Sequence, residues 1–210
     1  MQIKAVLFDL DQTLIDFMKM KVEACRSAIE AMIKVGLKID KKEGLKKLME
    51  TYFRLGIESD IAFSKFLEEQ TGRIDDEILK AGIDAYLKTK PHFLKPYPYV
   101  LETLEFLKNM NLRLGIVTDA PREKAMDRLK AMDIIHFFDV IITFDESKVK
   151  KPNKSPFLLA IGKLGLRPEE ILFVGDSLRR DIEPTEKLGM KTLLIKRYGD
   201  LKKIEQKLRS

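Results

Sequence analysis

Two aspartates two residues apart, Asp9 and Asp11, close the first apolar run of the chain in the segment Phe8-Asp9-Leu10-Asp11-Gln12-Thr13. In extended backbone, residues i and i+2 point the same way, so both carboxylates can face one pocket. Asp and Thr at such a place also cap turns and helices, and Asp11 taken alone fits that role equally well. Two more segments add weight to chemistry. Thr118-Asp119 follows a second apolar run, and Gly175-Asp176, with Asp181 shortly after, follows a fourth. Lys151, just ahead of Ser155-Pro156, supplies a cation. Several carboxylates with one lysine and no histidine repel one another unless a divalent cation offsets the charge, and hard oxygen donors select Mg²⁺ over zinc. A hard metal, a lysine and a threonine hydroxyl are the parts needed to hold a phosphoryl group. Two neighbouring acids can then divide the labour, one as nucleophile and the other as proton carrier.

Those residues need a scaffold that brings distant segments to one edge. Five short apolar runs, at 3–8, 113–117, 140–143, 171–174 and 192–195, have the length and composition of buried parallel strands. Helical patterns separate the later ones: Val100, Leu101, Leu104 and Leu107; Ala125, Leu129 and Met132; Phe157, Leu158, Ile161 and Leu164; Ile182 and Leu188. The alternation predicts an α/β fold, a doubly wound parallel sheet of Rossmann-like type with its site at the carboxyl ends of the strands. Residues 17–93 break the pattern, containing no strand-like run. Val22, Cys25, Ile29, Met32 and Ile33 recur at helical spacing up to Gly36, Asp40 with Glu43 reads as a capping box, Phe63, Phe66 and Leu67 precede Gly72, and Asp75 or Asp76 can cap a fourth helix. The expected organisation is a core of 1–16 and 94–210 with a helical insert at 17–93, its return marked by Pro91, Pro96 and Pro98.

The composition sets bounds on function. With 210 residues, 45% hydrophobic, the chain can bury about 70% of its unfolded surface. Its apolar stretches are too short to span a bilayer, which needs roughly 20 residues, and Asp9 and Asp11 interrupt the N-terminal run, arguing against a secretory signal. A single cysteine, Cys25, excludes an internal disulfide and makes a reducing cytoplasm the expected location. The net charge of +6 is spread among glutamates, so solvated helix faces are expected and no nucleic-acid partner. The many Lys and Glu with few Gln and Asn resemble the surface chemistry of proteins from hot environments. Cys25 reads as a packed thiol, and His92 and His136 as structural residues.

The ordered set Asp9-Leu10-Asp11-Gln12-Thr13, Thr118, Lys151-Pro152 and Gly175-Asp176 with Asp181 resembles the four motifs of the haloacid dehalogenase-like hydrolase superfamily, and the insert is similar to its type 1 cap. The resemblance covers essentially the whole chain. It implies a phosphatase acting on a small phosphorylated metabolite, with Asp9 forming an aspartyl-phosphate and Asp11 protonating the leaving oxygen before activating water. It further implies that Thr118 and Lys151 bind the phosphoryl group beside Asp119, that Mg²⁺ sits on the Asp9 side chain, the Asp11 main-chain carbonyl and Asp176, and that Asp181 supports from outside. Asp119 departs from the Asn of many members, and Pro184 stands where Gly is usual. Lys151 is preferred to Lys150 because the family lysine precedes Pro. Phosphoglycolate, glyceraldehyde phosphate and nucleotide monophosphates all fit the resemblance. A phosphomutase shares the first carboxylate pair; a 2-haloacid dehalogenase needs neither Asp11 nor the metal; a nucleic-acid-binding or scaffold protein on a degenerate fold is the non-enzymatic alternative.

Overall fold

A computed structural model describes residues 2–209. The chain divides into two compact units, Met1–Asp16 with Lys95–Ser210, and Phe17–Leu94. Strand β1, Ala5–Phe8, opens the first unit as a fully buried AVLF run. The chain then leaves for the second unit, which is built from α1 (Phe17–Lys34), α2 (Lys41–Leu55), α3 (Ala62–Thr71) and α4 (Asp76–Thr89).

The four helices start and stop where the sequence provides caps. Asp40 accepts hydrogen bonds from the N–H groups of Lys42 and Glu43, while Glu43 turns to Lys47 at 2.9 Å, so only half of the expected capping box forms. Gly72 ends α3 with φ of 75°, a left-handed value that favours glycine, and Asp75, not Asp76, caps α4. Helix α1 packs against both α2 and α4. At the α1–α4 contact, a Cβ on Gly82 would lie 2.5 Å from Met32 Cε and 2.9 Å from Met32 Cγ, so a larger residue there would have to displace the Met32 side chain. The core of this unit is apolar, formed around Cys25, Ile29, Met32, Leu48, Phe63 and Phe66. Burial pushes the Cys25 thiol up to about 12, which leaves it inert.

Back in the first unit, α5 (Val100–Asn109) leads to β2 (Arg113–Val117), α6 (Arg122–Ala131) to β3 (Val140–Ile142), and α7 (Phe144–Ser147) with α8 (Ser155–Leu164) to β4 (Ile171–Gly175). A single π-helical turn, Leu178–Ile182, and the short α9 (Glu183–Glu186) precede β5 (Lys191–Leu194), and α10 (Lys203–Arg209) closes the described chain. The strand order is β3-β2-β1-β4-β5, all parallel, with Phe8 of β1 opposite Ile116 of β2 and Val174 of β4. This is the doubly wound sheet expected from the alternation, with β1 at its centre. Helix α8 packs on β2 and β3 and delivers Phe157, whose ring meets Phe173 edge-on at 5.2 Å. Pro184 falls in the first turn of α9, directly after the π turn, where the helical ladder already changes its spacing. Among the described residues, no helix is long and apolar enough to cross a membrane.

Candidate active site

Strands β1 to β4 each end where the apolar run ends, and the next residue is Asp9, Thr118, Thr143 or Asp176. Asp9 continues β1, and its N–H donates to Val174 O at 2.9 Å, so the ladder with β4 fixes its backbone. Thr118 continues β2, with its N–H on Ile142 O at 2.9 Å. Asp176 continues β4. Because β2, β1 and β4 are neighbours, these three residues share the carboxyl edge of the sheet, where open α/β sheets bind ligands.

At that edge Lys151 is the hub. Its ammonium, almost wholly buried, donates to Asp9 Oδ1 at 2.6 Å, to Asp181 Oδ1 at 2.6 Å and to the Val117 carbonyl at 3.2 Å. Asp9 Oδ2 accepts from Thr13 Oγ1 at 3.1 Å, so both oxygens of this carboxylate are oriented. The second oxygen of Asp181 accepts from Ser177 N–H at 3.0 Å. The π turn brings Asp181 back toward β4, and a Cβ on Gly175 would lie 2.6 Å from Asp181 Cβ, so the strand must end in glycine for this carboxylate to reach Lys151. Asp119 does not extend toward open space: its Oδ1 accepts the Lys151 main-chain N–H at 2.8 Å and its Oδ2 lies 3.6 Å from Arg180 Nη1. Asparagine could make the first contact, but its amide would face a guanidinium where the aspartate presents an anion. Asp119 thus braces the lysine loop. The hydroxyl of Thr118 accepts from Ala120 N–H at 3.2 Å and keeps its own proton to donate.

The electrostatics follow from burial. Burial raises the Asp9 carboxyl to about 7; Lys151 opposes the shift, while Asp181 and Asp11 add to it. Burial alone would lower Lys151, yet Asp9 and Asp181 hold it above its ordinary value. Asp176 is raised by burial and by Asp181. One buried oxygen of Asp176, Oδ1, has no hydrogen-bond partner among the described residues, and its nearest recorded cation is Arg180 Nη2 at 3.8 Å.

Asp9, Asp176 and Asp181 offer carboxylate oxygens all within 4.8 Å of one another. Hard donors in a buried anionic cluster, one of them lacking a hydrogen bond, suit a small divalent cation such as Mg²⁺. Both oxygens of Asp181, like both of Asp9, accept from protein donors, so Asp176 Oδ1 is the oxygen of the cluster that lacks a hydrogen bond among the described residues. Asp11 is turned elsewhere: its Oδ2 accepts from Arg128 Nη1 at 3.0 Å. Sequence reasoning missed Arg128, Arg180 and the role of Thr13. For Arg128 there was a signal, since a charged residue lies within the Ala125, Leu129 and Met132 stripe of α6.

Comparison with known proteins agrees with this geometry. The family described as haloacid dehalogenase-like hydrolase matches residues 6–195. The chain belongs to that family. It is therefore an enzyme of a hydrolase superfamily, and its relatives are named as phosphatases. The glyceraldehyde 3-phosphate phosphatase of Methanopyrus kandleri is 38% identical over 203 residues, spanning 95% of this chain and 87% of that protein. The protein of the same name from Methanocaldococcus jannaschii is 36% identical, spanning 92% of this chain and 85% of its own length. The crystal structure of a HAD phosphatase from Thermococcus onnurineus superposes with a TM-score of 0.74 at 28% identity, covering 98% of each chain.

Proposed function

We propose that this hydrolase is a Mg²⁺-dependent phosphatase for a small phosphate monoester, working through an aspartyl-phosphate on Asp9. The observation that carries the reading is the buried Asp9 carboxylate, held at the end of the central strand by Lys151 and Thr13 with Asp176 and Asp181 beside it. An Asp9 oxygen attacks phosphorus while the ester oxygen departs with a proton from Asp11. Lys151 and the Thr118 hydroxyl hold the phosphoryl oxygens and offset their charge. Asp11, now deprotonated, takes a proton from water, whose oxygen displaces Asp9 and releases inorganic phosphate. The Asp9 side chain, the Asp11 main-chain carbonyl and Asp176 would hold Mg²⁺, which would supply further stabilisation of charge on the phosphoryl oxygens. Asp181 keeps Lys151 in place from outside the reacting atoms.

The names of the relatives favour glyceraldehyde 3-phosphate, or another short phosphorylated carbohydrate, as substrate. The helical unit Phe17–Leu94 is the part that selects it, as a cap inserted eight residues after the nucleophile. Its connecting segments are tied together by Tyr97 N–H on Leu14 O at 2.8 Å. The test is phosphate release from a panel of phosphorylated metabolites, with Mg²⁺ and with EDTA. Turnover that needs Mg²⁺ and favours a three-carbon substrate supports the reading; halide release from a 2-haloacid in EDTA, with no phosphatase activity, defeats it. Exchanging residues 17–94 for the insert of a relative should move substrate preference and leave the need for Asp9 unchanged.

A further inference from the structure

Arg128 is the largest fully buried side chain among the described residues, at 1% exposure. It projects from α6 alongside the buried Ala125 and Leu129, in a stripe where an apolar residue is the usual choice. A guanidinium cannot give up its charge, so burying one is unfavourable unless a carboxylate meets it. Asp11 offers one, its Oδ2 lying 3.0 Å from Nη1. An exposed ion pair of this kind is a weak restraint, because both chains can swing into water. Here the arginine side chain is 2% exposed and the aspartate 24%, so the cation is fixed by packing while the acid remains open on one side.

The main chain around Asp11 is already rigid. Gln12 sits at a φ of 64° and its N–H donates to Ile15 O at 2.8 Å, while Leu14 N–H donates to Leu10 O at 2.9 Å. The direction of the Asp11 carboxylate is then set at its two side-chain torsions, on which the planar Arg128 donor acts from another element. We propose that Arg128 is a positioning residue that sets the direction of the Asp11 carboxylate, and through it the efficiency of proton transfer to the leaving oxygen. The inference rests on the phosphatase reading and adds to it a residue from outside the four motif segments. It also explains why a charge occupies the buried stripe of α6.

Steady-state kinetics on the full-length protein with Mg²⁺ test this, using p-nitrophenyl phosphate as a substrate with a good leaving group and glycerol phosphate as one with a poor leaving group. Arg128→Met should lower kcat for glycerol phosphate by about 10²-fold, the scale of a misplaced reacting group, with a smaller loss for p-nitrophenyl phosphate and KM unchanged. Arg128→Lys should recover part of that loss. In an Asp11→Asn background, Arg128→Met should cost nothing further in kcat, since the group it positions is gone. Equal losses on the two substrates, or the same loss with and without Asp11, would assign Arg128 to packing alone and overturn the inference. Should Arg128→Met fail to fold, Arg128→Lys decides: a leaving-group-dependent fall in kcat supports positioning, and parent-like kinetics overturn it. A parent protein inert on every phosphate monoester defeats the phosphatase reading and this inference together; an active parent indifferent to both Arg128 substitutions defeats this inference alone.

Discussion

Each unit of the molecule buries one lysine, and the two are housed differently. Lys151 in the sheet unit lies 2.6 Å from each of two buried carboxylates. Lys21 in the helical unit, 3% exposed, lies 3.1 Å from the Tyr86 hydroxyl and 3.6 Å above the centre of the Tyr52 ring. An aromatic face attracts a cation through the quadrupole of its ring. A pair of carboxylates brings its own desolvation cost, and removing the lysine leaves both of them uncompensated. On the proposed reading the charge cluster at the strand edge is kept for the reaction, whereas Lys21 sits in a bundle that apolar packing already stabilises.

The sharpest break of that contrast is Asp9→Asn. It removes the proposed nucleophile, and kcat for phosphate release should fall by about 10⁴-fold or more while the circular dichroism spectrum is retained. Next in size, Lys151→Met leaves Asp9 and Asp181 facing each other in the interior. Chemical unfolding at pH 8 without metal should show a loss of about 3–5 kcal/mol. A loss below about 1 kcal/mol, the range of exposed ion pairs, would show that the cluster is hydrated and place Lys151 on a par with surface lysines.

The pH dependence sharpens the same point. With its carboxyl raised to about 7 in the folded protein, Asp9 takes up a proton on folding wherever the pH lies between its ordinary value near 4 and that raised value. Its contribution to stability is therefore most favourable below that window and declines as pH rises through it, by at most about 1.4 kcal/mol per pH unit. Metal-free Asp9→Asn protein should match the parent near pH 4 and exceed its melting temperature at pH 8. A parent that gains on the variant as pH rises would reverse the sign. The smallest effect belongs to the other lysine: Lys21→Met should change stability by no more than about 2 kcal/mol, because a desolvated cation–π contact is lost and a buried charge is relieved together.

Much of the sheet unit was legible because its signals are local. A four- or five-residue apolar run stopped by Asp or Thr marks both the strand and the catalytic edge, and that pattern located Asp9, Thr118 and Asp176. The insert was legible through Gly72 and Asp75, whose cap roles depend on a few neighbouring residues. What stayed hidden depends on partners far along the chain. Arg128 reads as one more surface charge until α6 is packed, 117 positions from Asp11. The bond from the Lys151 main chain to the Asp119 carboxylate, 32 positions away, has no local signal either. The π turn at Leu178–Ile182 has no sequence period of its own, because it exists to aim Asp181.

Gly175 has a genetic consequence. Every amino acid reachable from a glycine codon by a single base change carries a Cβ, and at this position a Cβ collides with the Cβ and carboxyl of Asp181 at 2.6–2.7 Å. Relief requires Asp181 to move away from Lys151, so the damage is transmitted to the nucleophile without touching it. Drift at codon 175 therefore has no neutral first step other than a synonymous one, and libraries built by error-prone copying should return this glycine among active clones even where Asp119 and Pro184 vary.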